Sequence, residues 1–315
     1  LLTKYLWVMP RKPLKLPRQQ SMNKQTLAHL ALIGAQLLYG ANYTIAKEVM
    51  PEYIQPFGFV LLRCLGAVSL FWITGLFVKE KIDTKDLPRL ALCALFGIAI
   101  NQLMFFKGLS LTHPINAAVV MISTPILVLI MAAVIIKERI TSRKALGIGI
   151  GLVGTLIILT AGKTLSFSSD TFSGDLMILV NASSYGVYLV LISPIMRKYH
   201  PVTVIKWVFL LGLIMVLPFG YSEFSQIQWS TFPPHVIWAV VFVVVGLSYF
   251  AYLFNLSALK YVSPSVVSTY IYLQPIIASA FAISLGKDHL DWIKVVSAIL
   301  ICTGVYLVSK KPKVA

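Results

Sequence analysis

Ten apolar runs, each about twenty residues long, divide this chain, and short breaks rich in charge, proline or glycine separate them. An α-helix rises about 1.5 Å per residue, so most runs can cross a hydrocarbon core of roughly 30 Å. Lipid offers backbone groups no hydrogen-bond partner, so each run must satisfy its own as a helix. The predicted spans are about 27–48, 56–78, 88–111, 114–136, 143–161, 174–195, 201–220, 235–259, 264–286 and 291–309.

Composition agrees with an all-α membrane protein of about ten transmembrane helices. Hydrophobic residues make up 58% of the chain and charged residues only 12%, whereas soluble domains carry about 25% charged residues. The net charge is +16, but the basic residues lie mainly between the apolar runs and form no stripe that could bind nucleic acid. The expected partners are therefore the lipid bilayer and a small-molecule substrate, with no nucleic acid; a homodimer stays open.

The distribution of lysine and arginine predicts the orientation in the membrane. Most of the 27 basic residues fall in the amino-terminal segment, at 79–89, 137–144 and 197–206, and after residue 309. Basic residues collect on the cytoplasmic side of a membrane. We therefore expect an integral, multi-pass protein of the cytoplasmic membrane with both termini in the cytoplasm.

The two halves of the chain resemble each other. A shift of 150 residues aligns 108–157 with 258–307 without a gap, and a shift of 146 aligns Tyr39-Gly40 with Tyr185-Gly186. The first alignment pairs Pro114 with Pro264, Pro125 with Pro275, Lys137 with Lys287, Lys144 with Lys294 and Gly154 with Gly304. Coincidence among apolar helices is the alternative, and aligned prolines, lysines and a glycine favour a duplication.

The duplication predicts the domain organisation. Residues 1–26 are expected to be a basic amino-terminal tail, with Met22 as an alternative start, and 162–173 a linker. The first five-helix repeat is 27–161, the second is 174–309, and 310–315 form a basic carboxy-terminal tail. Because each repeat has an odd number of spans, the second should enter the membrane from the opposite face, as in inverted-repeat transporters.

Polar residues within the spans are the candidates for a substrate cavity, since buried polar groups either hold helices together or line a wet path. Pro125 and Pro275 are candidate gates, because a proline inside a helix frees a carbonyl near mid-membrane. The cavity candidates are Tyr39, Asn42, Asn101, Gln102, Asn181, Tyr185, Tyr188, Tyr249, Tyr252, Asn255, Tyr270 and Gln274, joined by the cations Lys47, Arg63 and Lys107.

Arg63 has two competing interpretations. It could pair with Glu48 or with helix carbonyls, since buried charges are normally paired. It could instead offer its planar fork to a carboxylate or phosphate of the substrate, a geometry that lysine cannot reproduce. Glu48, Asp175 and Asp291 are the only carboxylates that touch a span, each at its end. The missing mid-depth acid predicts a facilitator or exchanger rather than a carrier that relays protons.

Two other features point away from enzymatic chemistry. The run from Gly149 to Gly154 matches a dinucleotide-binding motif but lies inside an apolar span, where Gly147 and Gly151 instead predict close helix packing. Cys64, Cys93 and Cys302 stand singly and form no ligand cluster. We therefore expect no cofactor, no metal site and no catalytic residue.

Several motifs resemble the EamA-type transporters of the drug/metabolite transporter superfamily. They are Ala258-Leu259-Lys260-Tyr261 through Pro264, Gln274-Pro275, the run from Lys137-Glu138-Arg139-Ile140-Thr141 to Gly154, Tyr39-Gly40 with Lys47, and Leu62-Arg63. The resemblance covers about 27–308 and implies inverted five-helix repeats around a central cavity. Tyr39 stands where that family often has tryptophan, which affects the cavity more than the fold.

Together these features predict a secondary transporter that moves a small polar metabolite by alternating access. An amino acid or another carboxylate-bearing compound is the favoured substrate, and export is the favoured direction. The alternatives are an intramembrane enzyme and a non-transporting scaffold or receptor. No span carries a metalloprotease, paired-aspartate or nucleophile-elbow motif, and neither a scaffold nor a receptor would need an inverted repeat.

Overall fold

The computed structural model of the chain describes residues 18–45, 49–50, 52–161, 169–284, 286 and 289–310. These residues form ten long helical spans and no described residue lies in a β-strand. The spans are α1 (Arg18–Ile45), α2 (Pro56–Gly75), α3 (Thr84–Leu111), α4 (Pro114–Met121 and Thr124–Ile135), α5 (Ser142–Thr160), α6 (Ser169–Lys198), α7 (Pro201–Ser225), α8 (Pro234–Leu259), α9 (Pro264–Ser284) and α10 (Trp292–Ser309).

The helices confirm an all-α, multi-pass membrane protein. Within the described residues, nine helices are long and apolar enough to cross a membrane, and they correspond to α2 through α10. Helix α1 has 28 residues and is less apolar, because it carries His29 and Gln36 among its leucines. It packs against α8 and α9 like the other spans, so the predicted number of about ten is confirmed.

Two helices begin earlier than the apolar pattern predicted. Helix α1 begins at Arg18 rather than near residue 27, because no proline or glycine interrupts the polar residues before its apolar run. Helix α6 begins at Ser169 rather than at 174, and Asp170 in its first turn suits the positive end of the helix dipole. The predicted tail and linker are correspondingly shorter, and 1–17, 162–168 and 311–315 lie outside the described residues.

Helices α5 and α10 begin with the same cap, at positions equivalent by the 150-residue shift. The Thr141 hydroxyl accepts a hydrogen bond from the backbone N–H of Lys144 at 3.3 Å, and the Asp291 carboxylate accepts one from that of Lys294 at 2.8 Å. Each lysine also pairs with a nearby carboxylate: Lys144 with Glu138 at 2.6 Å, and Lys294 with Asp291 at 2.7 Å. The two halves therefore start their last helix in the same way.

Four helices are irregular, and the irregularities also match between the halves. Helix α3 contains a π-helical segment at Leu95–Ala99, and α8 contains one at Phe242–Ala251. Helix α4 is interrupted between Met121 and Thr124, and α9 tightens into a 3₁₀ turn at Tyr270–Leu273. Segments of this kind often mark functional regions or hinges.

The pairing of α5 with α10 depends on glycine. A Cβ atom on Gly304 would lie 2.6 Å from the carbonyl oxygen of Gly147 and 2.7 Å from the backbone nitrogen of Gly151. Further along α5, a Cβ on Gly154 would lie 2.8 Å from the Cβ of Leu300. As residue numbers rise along α5, from Gly147 to Gly154, the residues contacted on α10 fall in number, from Gly304 to Leu300. The two helices are therefore antiparallel. The predicted packing role of Gly147 and Gly151 is thus confirmed.

Helices α2 and α7 are antiparallel as well. The amino end of each helix is bonded by a carboxylate at or just beyond the carboxyl end of the other helix. Glu223, near the end of α7, accepts hydrogen bonds from the backbone N–H groups of Phe57 at 2.6 Å and Gly58 at 2.9 Å. Glu80, which follows α2, accepts one from the backbone N–H of His200 at 2.8 Å. These bonds satisfy amide groups that have no partner within their own helix.

The first helix of each half packs against helices of the other half, and three other helices pack against their own counterparts. Helix α6 packs against α3 and α4, while α1, its counterpart in the first half, packs against α8 and α9. The pairs α2–α7, α5–α10 and α4–α9 each join a helix to its own counterpart. This arrangement brings α1, α2, α3, α6 and α8 together around the candidate site.

Candidate functional site

Neutral polar side chains and one arginine meet where α1, α2, α3, α6 and α8 converge. We call this group the central polar cluster. Its members are Tyr39, Arg63, Gln102, Tyr185, Tyr188, Ser248, Tyr252 and Asn255. All but Ser248 were candidates from the sequence.

Arg63 is the charged member of the cluster. The residue is only 8% exposed. Its Nε donates a hydrogen bond to the Ser248 hydroxyl at 3.0 Å, and its guanidinium lies 5.2 Å from the centre of the Phe106 ring. No described carboxylate forms an ion pair with it. A buried charge without an opposite charge is costly by several kcal/mol. Neither the serine hydroxyl nor the ring supplies that charge.

The two terminal amino groups of Arg63 make no hydrogen bond with any described residue. The guanidinium interacts electrostatically with the side chains of Tyr252, Cys64 and Tyr39. The structural partners predicted from the sequence were Glu48, which lies outside the described residues, and helix carbonyls. The partner observed among the described residues is the Ser248 hydroxyl, so the planar fork of the arginine bonds no described residue, and the pairing with Glu48 stays a prediction.

Gln102 and Tyr252 join the halves at equivalent positions, since the 150-residue shift places one on the other. The Gln102 Nε2 donates a hydrogen bond to the Tyr252 hydroxyl at 3.3 Å, and that hydroxyl donates a longer one to the carbonyl of Gly97 at 3.5 Å. Because the tyrosine proton points to Gly97, its oxygen must accept from Gln102. The amide oxygen of Gln102 therefore faces away from this contact.

Three buried polar atoms of the cluster have no hydrogen-bond partner among the described residues. They are Gln102 Oε1, Tyr188 Oη and Asn255 Oδ1. The side chain of Asn255 lies near Tyr39, and Tyr188 lies near Tyr39, Tyr185 and Tyr252. Leaving such atoms unpaired costs about 1–3 kcal/mol each. The cluster is therefore suited to take up water or a polar ligand.

Asn101 and Asn181 hold α3 against α6 instead of joining the cluster. The Asn101 side chain donates to the backbone carbonyl of Asn181 at 3.3 Å, and the Asn181 side chain donates to that of Asn101 at 2.7 Å. Next to them, the Ser184 hydroxyl donates to the carbonyl of Phe96. These reciprocal bonds indicate that the two asparagines contribute to helix packing.

Two further predicted residues lie on the α1–α9 contact. The Tyr270 hydroxyl is 2.8 Å from the Nδ1 of His29, and the Gln274 amide donates to the Gln36 side chain at 2.8 Å. His29 and Gln36 were not among the candidates from the sequence, although their polarity inside an apolar run was an available signal. Ser248, a single small hydroxyl residue, gave a weaker signal.

The remaining cavity candidates are placed less centrally. Tyr249 packs against Phe71 with ring centres 4.5 Å apart. Lys107 lies beyond Gln102, towards the end of α3. The side chain of Asn42 and the whole of Lys47 lie outside the described residues, so the predicted convergence of Lys47, Arg63 and Lys107 stays a prediction.

Pro125 and Pro275 each lie in the first turn after the irregularity in α4 or α9. The prediction that these prolines leave carbonyls free is wrong. The carbonyl of Met121, four residues before Pro125, accepts a hydrogen bond from the Thr124 hydroxyl at 2.5 Å. The carbonyl of Ile271 accepts one from the backbone N–H of Gln274. The interruptions themselves are present at both prolines, and their gating role stays a prediction.

The described residues contain no group of three or more His, Cys, Asp or Glu side chains that could hold a metal ion. The central polar cluster itself offers a guanidinium, amides and hydroxyls. Such groups can bind an anion and exchange hydrogen bonds with it, which suits recognition of a small polar molecule.

Several known proteins are similar to this chain over most of its length, and two of those described here are named uncharacterized transporters. A protein of Archaeoglobus fulgidus named an uncharacterized transporter is 28% identical over 296 aligned residues, covering 92% of this chain and 99% of that protein. The uncharacterized transporter YyaM of Bacillus subtilis is 25% identical over 290, covering 89% and 93%. A WAT1-related protein of Arabidopsis thaliana is 23% identical over 311, covering 89% and 84%.

A similar solved structure and a family match are consistent with these relatives. A crystal structure of a protein aligns with a TM-score of 0.71 at 19% identity, covering 89% of this chain and 95% of that one, which supports the fold alone. Two segments, residues 26–160 and 172–310, each match the EamA-like transporter family. Because these segments include most of the chain, the protein belongs to the EamA-like transporter family.

Proposed function

We propose that this chain is a secondary transporter whose central polar cluster binds a small metabolite bearing a carboxylate or another anionic group. The observation that carries the proposal is Arg63, a buried guanidinium whose terminal amino groups bond no described residue and which has no described carboxylate partner. Planar, bidentate recognition of a carboxylate or phosphate is what such a group does best.

Alternating access between two inverted repeats is the proposed mechanism. Its support is the double family match, the antiparallel pairs α2–α7 and α5–α10, and the exchange of helix contacts between the halves. Rocking of such repeats exposes a site at their junction to either side in turn. Gln102 and Tyr252, which are equivalent residues, lie at this junction.

We also propose the cytoplasmic membrane as the location, with both termini in the cytoplasm, because the basic residues collect on one side of the spans. Export is the proposed direction, and substrate flux in inside-out and right-side-out vesicles measures it. An intramembrane enzyme and a non-transporting scaffold or receptor are the competing classes, and none of them requires a buried anion site shared by both halves.

The proposed anion site is tested by substituting Arg63→Lys in the full chain. Vesicles containing the wild type or the variant are screened for uptake of anionic and neutral metabolites. Lysine keeps the charge but loses the fork, so apparent affinity for the anionic substrate should fall by about tenfold or more. Uptake of a neutral substrate should change less.

The matched control is Arg89→Lys. Arg89 donates through its Nε to the carbonyl of Leu191 at 2.8 Å, at the start of α3 and away from the cluster. This variant should transport like the wild type. Equal affinity of wild type and Arg63→Lys for the same anionic substrate would reject the recognition role of Arg63.

A further inference from the structure

The charge balance of the central polar cluster limits what it can bind. Arg63 is its one charged side chain among the described residues, and its other members are tyrosines, amides and a serine. The described carboxylates whose contacts are known lie at or near helix ends with partners of their own. Those pairs are Asp86 with Lys198, Glu138 with Lys144, Asp175 with Thr112, Asp291 with Lys294, Glu223 with Phe57 and Gly58, and Glu80 with His200.

Counted over the residues that the structure describes, the cluster is therefore a buried site with a net charge of one positive unit. A ligand with a net charge of one negative unit would neutralise it. A zwitterion would neutralise Arg63 with its carboxylate but would add an ammonium group that meets no described carboxylate. Uncompensated charge in a buried site is strongly disfavoured, so the site should discriminate between these two ligands.

The unpaired atoms identify the rest of the ligand. The oxygens Gln102 Oε1 and Asn255 Oδ1 can only accept hydrogen bonds, and the Tyr188 hydroxyl can donate or accept. A ligand that supplies neutral O–H or N–H donors would satisfy these acceptors without bringing a second charge. The rings of Tyr39, Tyr185 and Tyr188 add apolar surface beside them.

We propose that the substrate is a monoanion whose other polar groups are neutral hydroxyl or amide donors, and that the site disfavours ammonium-bearing zwitterions such as amino acids. This inference rests on the proposed function, since it extends the anion site at Arg63. Hydroxy acids and N-acylated amino acids belong to the proposed class. Free amino acids and plain fatty acids do not.

Two matched sets of probes test the proposal by calorimetric titration of the full-length protein. The first set is lactate, alanine and propionate; the second is phenyllactate, phenylalanine and phenylpropionate. Within a set the carboxylate and carbon skeleton stay the same, while a hydroxyl is kept, replaced by ammonium or removed. In at least one set, the hydroxy acid should bind about tenfold or more tightly than both of its companions, because a site with unpaired acceptors rejects ligands that cannot satisfy them.

Variants connect this preference to the named atoms. Gln102→Leu and Asn255→Leu should each weaken binding of the preferred hydroxy acid more than binding of the matching plain acid. Gln226→Leu, which makes the same change at the exposed end of α7, should preserve the preference. Thermal unfolding of every variant, measured in the same detergent, shows that the proteins compared are folded.

The outcomes separate this inference from the proposed function. If an amino acid or a plain acid binds as tightly as its hydroxy acid in both sets, the charge and donor argument is overturned while the anion site stands. If no probe of either set binds, the inference is overturned too. The Arg63→Lys transport assay then decides the proposed function independently, because it uses whichever anionic metabolite the vesicle screen identifies.

Discussion

The α5–α10 pair and the central polar cluster both join equivalent parts of the two halves, but their contacts differ in kind. In the helix pair, backbone meets backbone, and Gly304 faces the carbonyl of Gly147 and the nitrogen of Gly151. In the cluster, side chain meets side chain, as between Gln102 and Tyr252, and polar atoms remain unpaired. Matching parts of the two halves therefore make one contact that fixes the fold and another that leaves room for a ligand.

We expect the largest loss of stability from a substitution at Gly304. The substitution Gly304→Ala would place a Cβ 2.6 Å from the carbonyl oxygen of Gly147, and backbone atoms cannot rotate away. Overpacking of this kind costs about 1–3 kcal/mol or more, so the yield of folded protein and its Tm in detergent should both fall.

The control for this prediction is Gly149→Ala on α5. No atom lies within 4 Å of a Cβ at that position, and alanine is the better helix former. Its Tm should equal or slightly exceed that of the wild type. Equal Tm values for Gly304→Ala and Gly149→Ala would contradict the claim that this contact fixes the fold.

The next effect concerns movement rather than folding. Pro125→Ala or Pro275→Ala should slow transport several-fold while folded protein stays abundant, because alanine lets α4 or α9 continue through its interruption as a regular helix. Transport rate per folded molecule is the measurement. Pro218→Ala, at an exposed proline inside α7, is the control and should keep the wild-type rate; a similar loss there would remove any special role for the pair.

The smallest effect is expected at Ser248. Ser248→Ala removes the hydroxyl that accepts from Arg63 Nε at 3.0 Å, a bond worth about 1.5–3 kcal/mol because the donor is charged. The guanidinium would then be less well oriented, and apparent affinity for the anionic substrate should fall less than in Arg63→Lys. Substrate titrations of both variants measure the order, and a larger loss in Ser248→Ala would contradict it.

The approximate span positions could be predicted from the sequence because they depend on local properties. Apolar length fixes each helix, and capping residues recur at Thr141 and Asp291. The early starts of α1 and α6 were missed because hydropathy reports the bilayer boundary, whereas a helix continues until its backbone is interrupted.

The details of the site could not be predicted because they depend on distant contacts. Arg63 and Ser248 are 185 residues apart, and no local pattern links them. The reciprocal bonds of Asn101 and Asn181 look from the sequence like any other pair of polar residues. The bond from the Thr124 hydroxyl to the Met121 carbonyl is local by contrast, and the threonine beside Pro125 was a signal for it in the sequence.

The central claim is that Arg63 serves a ligand rather than the fold, and Arg63→Gln tests it most directly. Transport of the anionic substrate and Tm without substrate should be measured on the same preparation. Removing an uncompensated buried charge relieves its desolvation cost, so Tm should be unchanged or higher while transport falls by about tenfold or more. Retained transport, or a large drop in Tm that accompanies its loss, would contradict the account.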